Sequence, residues 1–406
     1  MSKQLKIGIL SLSFFIVLLV VLGGLGVHAS SNDGAYRQLG VYSEVLSRIR
    51  TEYVEEPNFS AVTSGALHGL LDSLDANSSY LNPEEYKFYK SHQNDGHANI
   101  GATISKRFGY AAVVSVLPGG PADKAGIQTG DIIEAIEGKS THEMSLAAVQ
   151  EQLAGKQGST IEFAVVRPGK AEPQKTTITR DNIVVPGTAD KMVEDGIADI
   201  QPLALTKGKA QEVANKIREE QKKGAKKLIL DLRNVSQGDP AEAAAVANLF
   251  LNHGIITYVQ GQKYPKQTLT ADPQKAITNL PLVVLVNRGT AGPAEIVAAA
   301  ILDNNRGDVV GDKTFGSGSI QKIIDIPDGS ALILSIAKYY TPSGKVIEDP
   351  DPLHSGITPN ILVASNTDDA LPDDEEGAAP APQEKPKQPK DDEQLRRAVE
   401  VLKARS

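Results

Sequence analysis

From Tyr36 to Tyr89 apolar residues recur at helical spacing. Leu39, Tyr42, Val45, Leu46 and Ile49 fall on one face, and Val62, Leu67, Leu70, Leu71 and Leu74 on another. The pattern predicts two helices packing through these faces. A third helix is signalled at Asn82, a cap residue followed by Pro83, which suits a first helical position, and by Glu84 and Glu85, which suit the positive end of a helix dipole. Between His97 and Asp181 the texture changes to short strands and glycine turns, with one helix over Leu146 to Leu153. After Asp181, strands alternate with helices. A polar helix around Lys207 to Lys222, a strand Leu228 to Leu232 and a helix Pro240 to Leu251 predict a layered α/β core.

The most informative stretch is Pro281 to Gln321. The apolar run Leu282 to Val286 gives way to Gly289 and Gly292, then to helix-forming residues Glu295 to Leu302, then to a second short strand and a glycine loop. A strand-to-helix turn of this kind is a natural place for a reacting side chain, and the residue there is Gly292. The chain continues through A-L-I-L-S-I-A-K-Y-Y-T-P-S-G-K (Ala331 to Lys345). From Asn366 to Glu393 the sequence is acidic, rich in proline and without apolar period, which predicts disorder. A helical period returns through Leu395, Ala398, Val399 and Leu402. That helix is suited either to docking back or to holding a partner.

Composition narrows the function. With 406 residues, 40% hydrophobic and 23% charged, the chain has material for two or three domains. A formal net charge of −8, with no Lys/Arg run interleaved with aromatics, argues against a nucleic-acid partner. Residues Ile7 to Val27 are uncharged and mostly apolar, preceded by Lys3 and Lys6. This is the signature of an export signal, and the segment is also long enough for a membrane span. Cleavage near Ala29 and retention as an anchor both fit, and either implies a chain exported to the periplasm or anchored facing outward. The absence of cysteine excludes disulfides and thiol catalysis. The seven histidines are scattered without metal-ligand spacing, so neither a metal nor a cofactor is expected.

Within the strand-rich region, G-G-P-A-D-K-A-G-I-Q-T-G-D-I-I-E-A-I-E-G-K (Gly119 to Lys139) resembles the signature of a PDZ domain. The resemblance implies that a peptide C-terminus adds as a strand along Ile100 to Ser105. Its carboxylate would lie near the N–H groups of Ile100, Gly101 and Ala102, and its last side chain near Leu146, Val149 and Leu153. Taken one at a time, these apolar positions more often belong to a packed core.

The whole arrangement resembles the C-terminal processing peptidases, the tail-specific serine proteases. The resemblance rests on Y-L-N-P-E-E-Y (Tyr80 to Tyr86), the PDZ signature, L-I-L-D-L-R-N (Leu228 to Asn234), P-L-V-V-L-V-N (Pro281 to Asn287), T-F-G-x-G-x-x-Q and K-Y-Y-T-P-S-G. It implies a fold class of mixed α/β type. A signal or anchor occupies 1–30, a helical region 36–90, an inserted PDZ domain 97–182 and the peptidase-like core 183–365. An acidic tail over 366–392 and a helix over 393–406 complete the chain.

In that family a serine attacks the peptide carbonyl and a neutral lysine takes its proton. The serine position, three before Glu295, holds Gly292, and the lysine position in T-F-G-x-G holds Ser317. Glu295 and Gln321, which support the pair in the family, remain. The oxyanion region departs as well. The residue after the nucleophile is Pro293, which has no N–H, and the turn after L-R-N reads Val235-Ser236-Gln237-Gly238, with one glycine where the family has two.

These departures lead to the expectation of an exported, PDZ-containing pseudo-peptidase that binds polypeptide C-termini or unfolded tails. An active relative or an adaptor is a further expected partner, and the N-terminal segment gives a route to membrane association. The alternative is an active endopeptidase with a displaced pair drawn from Ser236, Ser317 or Ser319 and Lys313. A third reading makes the chain mainly a scaffold, docking through its last helix.

Overall fold

The computed structural model describes residues 33–92, 98–167, 172–194, 196–364 and 392–405. The segment read as signal or anchor and nearly all of the acidic tail lie outside the described residues. Among the described residues no helix is long and apolar enough to cross a membrane. The chain divides into two units, Met1–Gly65 and Ala66–Ser406.

In the first unit the helix Asp33–Glu52 carries Arg48 between Glu44 and Glu52, at 2.8 and 2.6 Å, one turn away on either side. Of the face expected to pack, Leu39, Tyr42 and Val45 are exposed, while Leu46 and Ile49 are half-buried. Periodicity specifies which face of a helix is apolar and says nothing of what covers it. A second helix, Phe59–Asp72, begins in this unit behind Asn58, whose side chain accepts the Ala61 N–H at 3.1 Å.

The second unit opens with β1 (Ser79–Leu81) and the helix Pro83–His92. Its start is a reciprocal cap: Asn82 Oδ1 accepts from Glu84 and Glu85 N–H at 3.0 Å each, and Glu85 accepts the Asn82 N–H at 2.8 Å. Next comes a sheet of β2 (Ala102–Arg107), β3 (Tyr110–Val116), β4 (Ile132–Ile136), β5 (Lys139–Ser140), β6 (Thr160–Val166) and β7 (Gln174–Thr179). Its order is β2-β3-β4-β6-β7, with β5 paired to β4, so β2 is an outer strand. The helix Leu146–Leu153 packs beside β2, and Ile100, Ile104, Leu146, Val149 and Phe163 share one buried core. The acid of the G-D-I-I motif, Asp131, is buried. It holds a two-pronged bond from Arg167 at 2.7 Å per arm and accepts the Gln128 N–H at 2.9 Å.

The core begins with β8 (Ala189–Glu194), β9 (Ile197–Gln201), the helix Lys209–Lys222, β10 (Lys227–Asp231) and the helix Pro240–Asn248. A hairpin of β11 (Ile255–Gln260) and β12 (Gln267–Thr270) follows. Then come β13 (Leu282–Val286), the helix Pro293–Asp303, β14 (Asp308–Gly311), β15 (Ser319–Asp325), β16 (Ala331–Tyr340) and β17 (Ile361–Leu362). One six-stranded sheet runs β17-β14-β13-β10-β9-β8, parallel except for β8. A five-stranded antiparallel sheet runs β1-β16-β11-β12, with β15 paired to β16.

The run L-V-V-L-V is unbroken because β13 is buried on both faces. Leu282, Val284 and Val286 meet the helices Pro240–Asn248 and Pro293–Asp303. Val283 and Leu285, with Ile229 and Val310, meet the last helix, Glu393–Ala404. That helix therefore docks back on its own chain. Arg233 donates to its cap residue Asp392 at 2.8 Å, and Lys227 Nζ donates to the carbonyls of Leu402 and Arg405 at 2.6 Å each. The Asp392 carboxylate complements the dipole at the start of the helix and the Lys227 ammonium at its end. Leu402 is fully buried, so Leu402→Ala is expected to cost about 2–4 kcal/mol in urea unfolding. Ending the chain after Ala364 is expected to expose Ile229, Val283, Leu285 and Val310 and to raise binding of an apolar dye. An unchanged midpoint together with unchanged dye binding would contradict the cis-docked helix.

Candidate functional site

The turn after β13 and the turn after β10 are laced together. Ala291 N–H donates to Val235 O at 3.0 Å, Asn234 N–H donates to Asn287 Oδ1 at 2.9 Å, and the buried Thr290 hydroxyl donates to Leu232 O at 2.8 Å. Close approach favours Gly289, since a Cβ there would stand 2.4 Å from Asn234 Oδ1 and 3.2 Å from both Asn234 Cα and Val114 O. Gly238, expected in the oxyanion region, has a structural duty. At φ 147° it lies beside Leu205, whose carbonyl a Cβ at this position would meet at 2.4 Å.

Gly292 sits at φ 56° and ψ −117°, immediately before Pro293, the first residue of its helix. Space is not what keeps a side chain out, because a Cβ there would meet only Ser236 O at 3.7 Å and Ser317 O at 4.0 Å. The backbone conformation disfavours it, being one that residues with a Cβ adopt only under strain. Having no side chain, Gly292 caps the helix through its backbone: its N–H donates to Glu295 Oε2 at 2.8 Å, and its carbonyl accepts the Glu295 N–H at 3.0 Å.

Glu295 organises the site. Its carboxyl is fully buried and accepts from four groups: the Thr314 hydroxyl and Gly316 N–H (2.8 Å) at Oε1, and Ser317 N–H (2.8 Å) and Gly292 N–H (2.8 Å) at Oε2. Burial pushes its pKa up to about 7, and the four donors hold it from rising further. The helix start and the loop Thr314–Gly318 are thereby fixed to one another. Glu348 extends the frame, accepting Gly318 N–H and Asn77 Nδ2 at 2.8 Å each. Gln321 lies on β15 and donates to Ser319 Oγ at 2.7 Å. The same oxygen accepts from Asn77 at 3.0 Å.

Of the residues of the displaced-pair reading, Lys313, Ser236 and Ser319 have other partners. Lys313 Nζ donates to the carbonyls of Pro352 and Leu353, and burial lowers its pKa, with Lys345 and Arg107 adding to the shift. Lys338, opposite Ser319 across the β15–β16 pair, donates to Glu348 O at 2.9 Å. Ser236 Oγ bonds Ser115 Oγ and donates to Thr103 Oγ1 at 2.6 Å, which joins the β10 turn to the β2–β3 hairpin. Among the described residues no hydrogen bond joins Ser236, Ser317 or Ser319 to a lysine. Nor does any group of three His, Asp or Glu side chains among them form a site that could hold a metal ion.

Between the β2 hairpin and the core lies a cleft of ≈ 750 Å³, with Ser105, Lys106 and Arg107 on one wall and Arg288, Phe315 and Ser317 on the other. The Arg107 guanidinium stands 5.0 Å from the centroid of the Phe315 ring. Of the residues expected to receive a peptide, Ile100, Leu146, Val149 and Leu153 are buried in the core of the strand-rich module. Gly101 has φ 75°, and Ala102 begins the outer strand β2. The N–H groups of Ile100 and Gly101 face Asn99 Oδ1 at 2.6 and 3.4 Å. Sequence reasoning missed Asn99, Asn77, Glu348 and the Ser236 contacts. Asn99 left a local signal, an Asx residue two positions before the turn glycine Gly101.

Comparison with known proteins agrees with this architecture. Residues 196–363 match Peptidase family S41 and residues 113–167 match a PDZ domain. The chain is 31% identical over 374 residues to the carboxy-terminal processing protease CtpA of Bacillus subtilis, covering 89% of this chain and 78% of the relative. It is 32% identical over 342 residues to the carboxy-terminal-processing protease of Bartonella bacilliformis, covering 83% and 77%. In structure it resembles the photosystem II D1 C-terminal processing protease with a TM-score of 0.66 at 25% identity, over 80% of this chain and 86% of that one. The chain belongs to peptidase family S41 and carries a PDZ domain.

Proposed function

We propose that this chain is a member of its family that binds polypeptide tails without cutting them. The observation that carries the reading is the pairing of an intact frame with missing reactants. Glu295 holds the turn and the loop in register, while Gly292 offers no hydroxyl, Ser317 no amine and Pro293 no N–H toward an oxyanion. The relatives' names speak of carboxy-terminal processing, and the cleft and the PDZ domain supply this chain with the surfaces for the same class of ligand. A polypeptide held there keeps its peptide bonds, which suits a decoy, an adaptor or a regulator of an active relative. The apolar segment 7–27 behind Lys3 and Lys6 supports export, with the binding surfaces outside the cytoplasmic membrane.

Retention of Glu295 follows from structure alone in this account, since four donors converge on one buried carboxyl whether or not chemistry follows. Its raised pKa sets a sign. An acid whose pKa is raised on folding favours the folded state while protonated, so its contribution is full below the unfolded value of 4.5 and is lost as pH rises toward about 7. Glu295→Gln places an amide N–H₂ against N–H donors and is expected to cost about 1–3 kcal/mol. Its melting temperature, lower throughout, should lack that part of the wild-type decline. Identical slopes for the two proteins would contradict the assignment.

The functional reading is tested by titrating the full chain with an unfolded, tail-bearing reporter and weighing the reporter afterwards. Saturable binding with the reporter recovered intact is expected, and failure to bind contradicts the proposal. A reactivation series tests the chemical side. Gly292→Ser with Ser317→Lys is expected to restore little cleavage, both because φ at position 292 is positive and because the oxyanion donor is absent. Adding Pro293→Ala should raise the rate by up to about 10²-fold. Equal rates with and without Pro293 would place the donor elsewhere.

A further inference from the structure

Asn99 precedes the turn that the PDZ resemblance assigns to a ligand's carboxylate. Its backbone is fixed from both sides: its N–H donates to Asp181 O at 2.9 Å, and its carbonyl accepts the Asp181 N–H at 3.1 Å. With the main chain clamped, the side-chain oxygen reaches back over the turn, accepting the Ile100 N–H at 2.6 Å and standing 3.4 Å from the Gly101 nitrogen. Two successive N–H groups facing one oxygen beside a glycine of positive φ form the kind of concavity that binds an anion. Both neighbours are donors, so the oxygen of the amide, not its N–H₂, must face them.

The surroundings leave this oxygen in possession. A Cβ built on Gly101 would stand 3.2 Å from Ile183 Cδ1 and 3.5 Å from Pro121 Cδ, so both side chains crowd the turn. Ile100, Val149 and Leu153, at 1%, 0% and 2% exposure, are spent on the core of the module and leave little open pocket for a terminal side chain. What the module still offers is β2, an outer strand with backbone groups along one edge.

We propose that Asn99 sets the specificity of the PDZ module. Its side-chain oxygen fills the carboxylate nest in cis, so the module takes an extended polypeptide segment by strand pairing along β2 and does not select for a free C-terminus. This inference rests on the reading of the chain as a polypeptide binder and widens the ligand class of the PDZ module from C-termini to extended segments in general. A carboxylate entering the nest must displace a bonded oxygen that is already in place, which offsets the advantage of its charge.

The test uses the full chain and a fluorescein-labelled decapeptide of alternating serine and valine ending in valine, prepared as free acid and as amide. Wild type is expected to bind the two with dissociation constants within about two-fold of one another. Asn99→Gly, which empties the nest, should tighten the free acid about ten-fold and leave the amide unchanged. Asn99→Ala gives the same readout if the glycine variant loses stability, and Asn99→Asp, which keeps an oxygen in the nest, should show no preference for the acid. A wild-type preference for the acid of about ten-fold overturns this inference and leaves tail binding standing. So does a folded Asn99→Gly or Asn99→Ala protein that gains no preference. Binding of neither peptide by wild type or variants overturns the inference and counts against the polypeptide-binder reading, which the unfolded-reporter titration decides separately.

Discussion

One buried carboxyl holds the centre of this molecule together. Glu295 gathers donors from the first turn of its own helix and from the loop Thr314–Gly318, segments that belong to different layers of the fold. An unpaired carboxyl in such a place would cost several kcal/mol, and four donors make it tolerable. The same bonds oblige the loop to return to the helix start. The glycines of T-F-G-S-G follow from this return: a Cβ on Gly316 would stand 2.0 Å from Ser355 Oγ, and one on Gly318 would press on Ile347 at 3.0 Å. In the proposed reading a site built this way keeps its shape without a nucleophile or a base, because the bonds of the frame use neither.

Gly292 and Pro293 occupy the same turn and point to the same outcome. The glycine relieves a backbone conformation that strains other residues, and the proline starts the helix where its missing N–H costs nothing. Both choices favour the helix over a nucleophile and its oxyanion donor. The PDZ domain reaches this turn's partner through the Ser115, Thr103 and Ser236 hydroxyls, so the PDZ domain and the core share a boundary beside the turn that carries Gly292.

Much of this was legible from local pattern. The unbroken L-V-V-L-V run belongs to a strand covered on both faces, the Asn82-Pro83-Glu84-Glu85 start is a capped helix, and the order strand, turn, helix, strand, glycine loop from Pro281 to Gln321 is what the fold contains. The rest depends on pairings between residues far apart in the chain. The stripe on Asp33–Glu52 reads as a packing face, yet Leu39, Tyr42 and Val45 on it are exposed, because spacing names a face without naming its cover. The last helix reads equally as docked or free until Arg233 and Lys227 are seen at its two ends. Gly238 and Ser236 belong to one short turn, yet one is fixed by Leu205 and the other by the PDZ hydroxyls, partners that no local pattern announces. Asn99 is the intermediate case, visible as a turn former, with its hold on the two N–H groups apparent only in three dimensions.

The central claim is that a polypeptide held by this chain is not attacked. The most direct measurement incubates the protein with an unfolded, tail-bearing polypeptide in water carrying heavy oxygen and examines every peptide by mass spectrometry. Hydrolysis by any route leaves the isotope on a new C-terminus. The account predicts no labelled terminus above that of buffer alone. A labelled fragment whose yield disappears on Ser236→Ala, Ser317→Ala or Ser319→Ala would contradict it.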